Sequence, residues 1–319
     1  MRLVVALLAT ALLLAGVAGC GGSGAEPGAP KGATVVLDFT PNAVHTGIYA
    51  AQAEGFYGEA GIDLHIQVPG ESTDAPKLLA AGRTQFAILD ITDLGIADEK
   101  GLELVGLMPI VQEPLAAVLA RKDGPVQRPR DMDGHSVGVT GLPSDTAVVD
   151  SEVSADGGDP AGVDEITIGY NAVASLAAGK VDAATGFWND EAVEAQRQGI
   201  PLRVFKVDRY GAPRYPELVL TTTRKEMKED PSLVEGMVAA TRRGYNFTVT
   251  EPRQALGDIL AANPTLERED VAAQLKVLLP ALHPDPFKES VLEEWSAWAS
   301  SHGLLPKPLD VRKTFDLGT

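Results

Sequence analysis

Apolar positions along the chain fall into two patterns. Some form short continuous runs, and others recur every three or four residues over longer stretches. Residues 34–39, 63–68 and 86–89 show the first pattern and predict buried strands, while 43–57 and 73–81 show the second and predict helices closed by a nearby Gly. Strand, helix, strand, helix, strand predicts a parallel sheet with right-handed crossovers. Two more apolar runs follow at 102–110 and 115–120. Charges together with Gly124, Pro125 and Pro129 break the pattern over 122–130, and a second alternation then begins. It predicts strands at 136–140, 165–169, 183–186, 202–207 and 217–222, and helices at 144–155, 172–178 and 190–198. Beyond Asp230 the pattern is helical, over 232–248, 253–262, 267–278 and 288–300. The expected class is α/β: two similar units in series and a helical tail, with no short-period repeat that would indicate a solenoid or propeller.

The N-terminus departs from both patterns. After Arg2, residues 3–15 are apolar except for Thr10, too short a run for a spanning helix of about 20 residues and the right size for a signal-peptide core. Val17-Ala18-Gly19-Cys20 then leads into the chain's single cysteine. This segment resembles a bacterial lipobox, in which Cys20 is lipidated and becomes the mature N-terminus; the alternative is a plain secretory signal with an incidental cysteine. Residues 21–32, rich in Gly, Ala and Pro, read as a flexible tether. The expected location is extracytoplasmic, anchored to the cell membrane as a lipoprotein.

Charge narrows the partners. Against 27 Lys and Arg stand 44 Asp and Glu, a formal net charge of −17. Such a surface repels phosphate backbones and anionic lipid, so no nucleic acid is expected, and membrane contact only through a lipid. One cysteine excludes an internal disulfide and a CxxC zinc site. Of the five histidines, His65, His135, His283 and His302 are scattered, and the chain has no HExxH, phosphate-binding GxxxxGK[ST] loop, GxSxG elbow or dinucleotide fingerprint. No metal, cofactor or catalytic group is expected.

In open α/β sheets ligands lie beyond the carboxyl ends of strands, which directs attention to the loops there. The first carries Asp38, Phe39, Asn42, His45 and Tyr49: Asn42 is a good helix cap, and His45 and Tyr49, four apart, share a face. This is either a ligand floor or an ordinary capped helix with a buried Tyr. The next holds Asp90 and Asp93, either of which could cap the following helix instead. Gln112-Glu113-Pro114 reads as a turn. In the second unit, Ser144 and Asp145 follow Gly141-Leu142-Pro143, with Ser144 a candidate cap. Phe187-Trp188-Asn189-Asp190-Glu191 places two rings before two acids in a chain only 5 % aromatic, so that one ring could stack on a flat ligand. Tyr215 lies in an irregular segment, 210–216, that is either a lid or a plain surface loop.

Taken together, 37–49, Gly55-Phe56-Tyr57, Gly61-Ile62-Asp63, 77–83, 141–145, 179–183 and 187–191 resemble the thiamine-pyrimidine substrate-binding proteins of ABC importers, over about residues 35–256. The resemblance implies a type II periplasmic-binding-protein fold: two α/β lobes joined by two crossovers, here near 121–124 and 221–224. The expected division is leader 1–20, tether 21–32, first lobe 33–122, second lobe 123–216, and a return to the first lobe with C-terminal helices over 217–319. In the family the aromatic after the first strand stacks on the pyrimidine; Phe39 stands here where Trp is usual, a smaller stacking surface. Asn42, His45, Trp188, Asn189 and Glu191 match the family pattern and are carried over as ligand contacts.

The resemblance thus implies a monomeric, lipid-anchored receptor that binds a thiamine-type aminopyrimidine and delivers it to a permease and its ATPase. The same fold serves fungal pyrimidine synthases, which need a lysine, a histidine and a cysteine-rich run. Those positions fall at Leu89, at Asp93 and near 210–216, where there is no Cys, so an enzyme is not expected. Sulfonate and nitrate binders are also relatives, but this chain has acids where an anion site needs Arg. A third reading keeps the receptor and changes the ligand, for instance to a flavin.

Overall fold

The computed structural model describes residues 29–69 and 75–318; the leader, Cys20 and most of the expected tether lie outside them. Ten strands form: β1 (Lys31–Val36), β2 (Ile62–Gln67), β3 (Phe86–Asp90), β4 (Leu104–Pro109), β5 (Ala116–Arg121), β6 (Ser136–Val139), β7 (Asp164–Thr167), β8 (Ala183–Phe187), β9 (Leu202–Lys206) and β10 (Leu218–Thr223). They make two five-stranded sheets, ordered β2-β1-β3-β10-β4 and β7-β6-β8-β5-β9. The expected parallel core is present in each: β1 runs parallel to β2 and β3, and β6 to β7 and β8. Each sheet also takes one antiparallel strand, β10 in the first and β5 in the second. Each of these is the strand reached as the chain crosses from the other sheet.

The crossings differ from expectation. The chain leaves the first sheet over 110–115 and returns over 207–217, not near 121–124 and 221–224. β5 therefore pairs in the second sheet, with Val118 opposite Thr185 of β8 and Phe205 of β9, and not in the first lobe, where the resemblance places it. An apolar run says that a strand is buried and nothing about which sheet buries it. The expected tether is also too long. β1 begins at Lys31, whose N–H donates to Gly61 O at 2.8 Å and whose ammonium pairs with Asp230 at 2.7 Å.

Alternation along the strands builds two cores, one on each face of the sheets. Val35, Leu37, Phe86 and Ile88 point to one side with Leu119, and Val36, Ala87 and Leu89 to the other with Val118. Helices Pro231–Thr250, Pro252–Ala262 and Arg268–Leu278 cover the first face through Met237, Tyr245, Ile259 and Leu278. Helix Glu289–Ser301 covers the second with Leu292, Trp295 and Trp298. The tail protects the outer edge of β4: Phe315 bridges Gly106, and Asp316 N–H donates to Gly106 O at 2.8 Å.

The expected helix over 43–57 is divided. A 3-10 turn at Ala43–His45 leads into helix Thr46–Ala53, and Gly55, at φ 75°, turns the chain into a short helix at Phe56–Glu59. Gly47 and Gly244 let helices Thr46–Ala53 and Pro231–Thr250 come together: a Cβ on Gly47 would lie 2.5 Å from the Tyr245 ring, and one on Gly244 2.0 Å from Gly47 O. Tyr245 Oη donates to Val44 O at 2.8 Å, which fixes the 3-10 turn that carries the first candidate loop.

Candidate functional site

A cavity of about 140 Å³ lies between the two sheets. Its walls come from both lobes, from the second crossover and from helix Glu289–Ser301. On the first-lobe side, the chain leaving β1 presents Asp38 and Phe39. Asn42 caps the 3-10 turn, its Oδ1 accepting from Val44 N–H at 2.9 Å. Asn42 N–H donates to His45 Nδ1 at 3.2 Å, which leaves the imidazole proton on Nε2, 2.9 Å from Asp38 Oδ1. His45 is fully buried and does not line the cavity; it holds Asp38 at the wall.

Asp90 ends β3 and caps helix Ile91–Glu99, accepting from Thr92 N–H at 2.6 Å. The capping role left open for Asp93 therefore belongs to Asp90, and Asp93, one turn along, lines the cavity. Asp90 is paired with Glu217 of the second crossover, whose carboxylate accepts from Ala116 N–H at 3.1 Å and from Leu115 N–H. Burial, and next the Glu217 carboxylate, hold the Asp90 carboxyl well above its ordinary range. Burial also pushes Asp93 up, to about 7, with Asp90 and Asp145 adding to it.

From the second lobe, Ser144 and Asp145 line the cavity at the start of helix Pro143–Ala155. Ser144 is not the cap expected of it, because the helix is entered from Leu142 without a side-chain cap bond. Asp145 gathers the loop instead, accepting from Thr140 N–H at 2.8 Å and Gly141 N–H at 3.2 Å. Tyr170, beyond β7, meets Phe39 edge-on across the cleft with ring centroids 4.8 Å apart. Beyond β8, Asp190 accepts from Asn42 Nδ2 at 3.1 Å and from Gln274 Nε2, joining three parts of the chain. Burial, with Glu191 beside it, pushes Asp190 up to about 8. Glu191 is raised by burial and countered by Phe187 N–H, which donates to its Oε2 at 2.7 Å.

The structure thus brings Asp38, Phe39, Asn42, Asp90, Asp93, Ser144, Asp145, Glu191 and Tyr215 to one cavity, but not His45, Tyr49, Trp188 or Asn189. Tyr49 is buried, its hydroxyl 3.4 Å from Asn263 Oδ1. Trp188 turns to the first crossover, its Nε1 donating to Pro114 O at 2.8 Å while Lys206 Nζ stands 3.4 Å from the ring centroid. The cavity-lining ring of that pair is Phe187. Asn189 is buried with neither amide atom partnered among the described residues. Tyr215 is no surface lid: it is buried against Trp298, rings 5.8 Å apart and stacked.

Several wall residues escaped the sequence reading. Tyr170 follows a strand, and the rule that found the other loops reaches it too. Glu217 and Trp298 carry no local signal, because they arrive from the second crossover and from a helix far beyond the other loops in sequence. Among the described residues lining the cavity, Asp38, Asp90, Asp93, Asp145, Asp190, Glu191 and Glu217 are acidic, and no Lys, Arg or His joins them.

Residues 42–255 match the NMT1/THI5-like family model. The formylaminopyrimidine-binding protein of Halalkalibacterium halodurans is 31 % identical over 291 residues, 88 % of each chain. The 4-amino-5-hydroxymethyl-2-methylpyrimidine phosphate synthase of Legionella pneumophila is 26 % identical, covering 73 % of this chain and 74 % of that one. Among solved structures, the periplasmic aliphatic sulphonate binding protein SsuA of Escherichia coli superposes with a TM-score of 0.73 at 15 % identity, covering 89 % of this chain and 92 % of that one. That likeness, with the sheet orders above, establishes the periplasmic-binding-protein fold.

Proposed function

The chain belongs to the NMT1/THI5-like family, and from that premise we propose that it is the substrate-binding protein of an ABC importer for a thiamine-type aminopyrimidine. One observation carries the reading: a cavity closed by both lobes, walled by rings and carboxyls, with no basic side chain among its described residues. An aminopyrimidine offers N–H donors on its edge and a flat apolar face, and such walls complement both. A sulfonate would meet several carboxyls and no basic side chain among the described lining residues, which argues against the ligand of SsuA. The similarity to a formylaminopyrimidine-binding protein points the same way.

The proposed lobes are 29–109 with 218–318 and 116–206, hinged at the crossovers. Ligand contacting both lobes favours the closed arrangement over the open one, and the closed form is what a permease would recognise. We place the mature protein outside the cytoplasm as a monomer held by lipid on Cys20. No helix among the described residues is long and apolar enough to cross a membrane, and a lipid anchor requires none. The synthase reading is disfavoured by Leu89 and Asp93 at the positions that match the enzyme's lysine and histidine.

Calorimetric titration with formylaminopyrimidine, riboflavin and an alkanesulfonate tests this directly. The expected result is saturable binding of the pyrimidine alone. Binding of riboflavin or the sulfonate in its place would overturn the assignment.

A further inference from the structure

The cavity's carboxyls are not equivalent. Asp38 is held by His45 Nε2 at 2.9 Å, and Asp145 by Thr140 and Gly141 N–H groups. Asp190 is held by Asn42 and Gln274, Glu191 by Phe187 N–H, and Asp90 and Glu217 by each other and by backbone N–H groups. Asp93 lines the same cavity with no hydrogen-bond or ion-pair partner among the described residues. The charges acting on it are mostly like its own: Asp90 from the end of β3, Asp145 from the second lobe and Asp38 from the loop after β1, against Lys100 at the far end of its helix. No three acidic, His or Cys side chains among the described residues gather closely enough to hold a metal ion. The phenol of Tyr170 and the Phe39 ring stand at this end of the cleft, where ring faces favour an organic cation.

We propose that the ligand is bound as a cation, with Asp93 as the counter-ion to its ammonium or protonated nitrogen. This rests on the aminopyrimidine reading above and deepens it. A neutral ligand would close the cleft over mutually repelling carboxyls and leave Asp93 unpaired. A cation gives it a charge-assisted hydrogen bond and relieves the repulsion between Asp93 and Asp145 across the cleft.

Two probes separate the cases: 4-amino-2-methylpyrimidine bearing at C5 either an aminomethyl group, protonated at pH 7, or a neutral hydroxymethyl group. In calorimetric titrations of the wild-type protein, the aminomethyl probe is expected to bind at least tenfold more tightly. In Asp93→Asn, of closely similar volume and checked for folding by thermal melting, that preference should fall to near unity. Equal affinity for the two probes in the wild type, or a preference that survives Asp93→Asn, overturns the cation proposal and leaves the receptor reading standing. Failure of both probes to bind overturns the two together.

Discussion

Asn42, at the cap of the turn after β1, donates its side-chain N–H to Asp190 of the second lobe at 3.1 Å, directly across the cleft. The same carboxyl accepts from Gln274 on helix Arg268–Leu278. A closed cleft is therefore latched by three elements far apart in sequence. A net gain of about 0.5–1.5 kcal/mol per hydrogen bond means that Asn42→Ala should weaken ligand binding roughly 2- to 10-fold. Calorimetry of the variant checks this, and unchanged affinity would show that the latch does not contribute to capture.

The raised carboxyls set a pH dependence whose sign is fixed. Asp190 titrates near 8 in the folded protein and near 4 when unfolded, and Asp93 near 7, so the folded state binds more protons over that range. Their contribution to stability is fully present below about pH 4 and is lost as the pH rises through the folded values. The melting temperature should therefore fall between pH 5 and 8, and Asp190→Asn should flatten the profile. A wild-type profile that rises over this interval would contradict the assignment.

Glu217 ties the hinge. Its carboxylate accepts from the N–H groups of Leu115 and Ala116, where the first crossover enters β5, and is paired with Asp90 at the end of β3, while its own N–H donates to Val111 O at 3.1 Å. Glu217→Ala would strand buried donors at about 1–3 kcal/mol each. Glu217→Gln keeps an acceptor oxygen and should cost less. Denaturant melts of the two variants should rank them in that order.

Gly244 tests the helix packing behind the first candidate loop. A methyl there would lie 2.0 Å from Gly47 O, and overpacking of this kind typically costs about 1–3 kcal/mol. Gly244→Ala should lower the melting temperature by several degrees in thermal melts of the variant against the wild type.

These sites also show what the sequence made legible. Strand and helix positions were readable because alternation and 3.6-residue periodicity are local properties, and so was the rule that loops after strands carry the site. Asp38, Phe39, Asp93, Asp145 and Glu191 were reachable by that rule. The sheet that receives β5 was not, because Ala117, Val118 and Leu119 are equally apolar in either lobe. Nor was the orientation of Trp188, which depends on Pro114 O and Lys206 arriving from the first crossover and from β9. Adjacent rings such as Phe187 and Trp188 differ in what meets them, and that partner is set by tertiary structure.

In the proposed receptor, one small heterocycle is held between the two lobes. A crystal structure grown with 4-amino-5-hydroxymethyl-2-methylpyrimidine measures it most directly. The prediction is density for the ring inside the cavity, touching Phe39 or Asp93 on one side and Glu191 or Asp145 on the other. A ligand bound against a single lobe, or outside the cavity altogether, would contradict it.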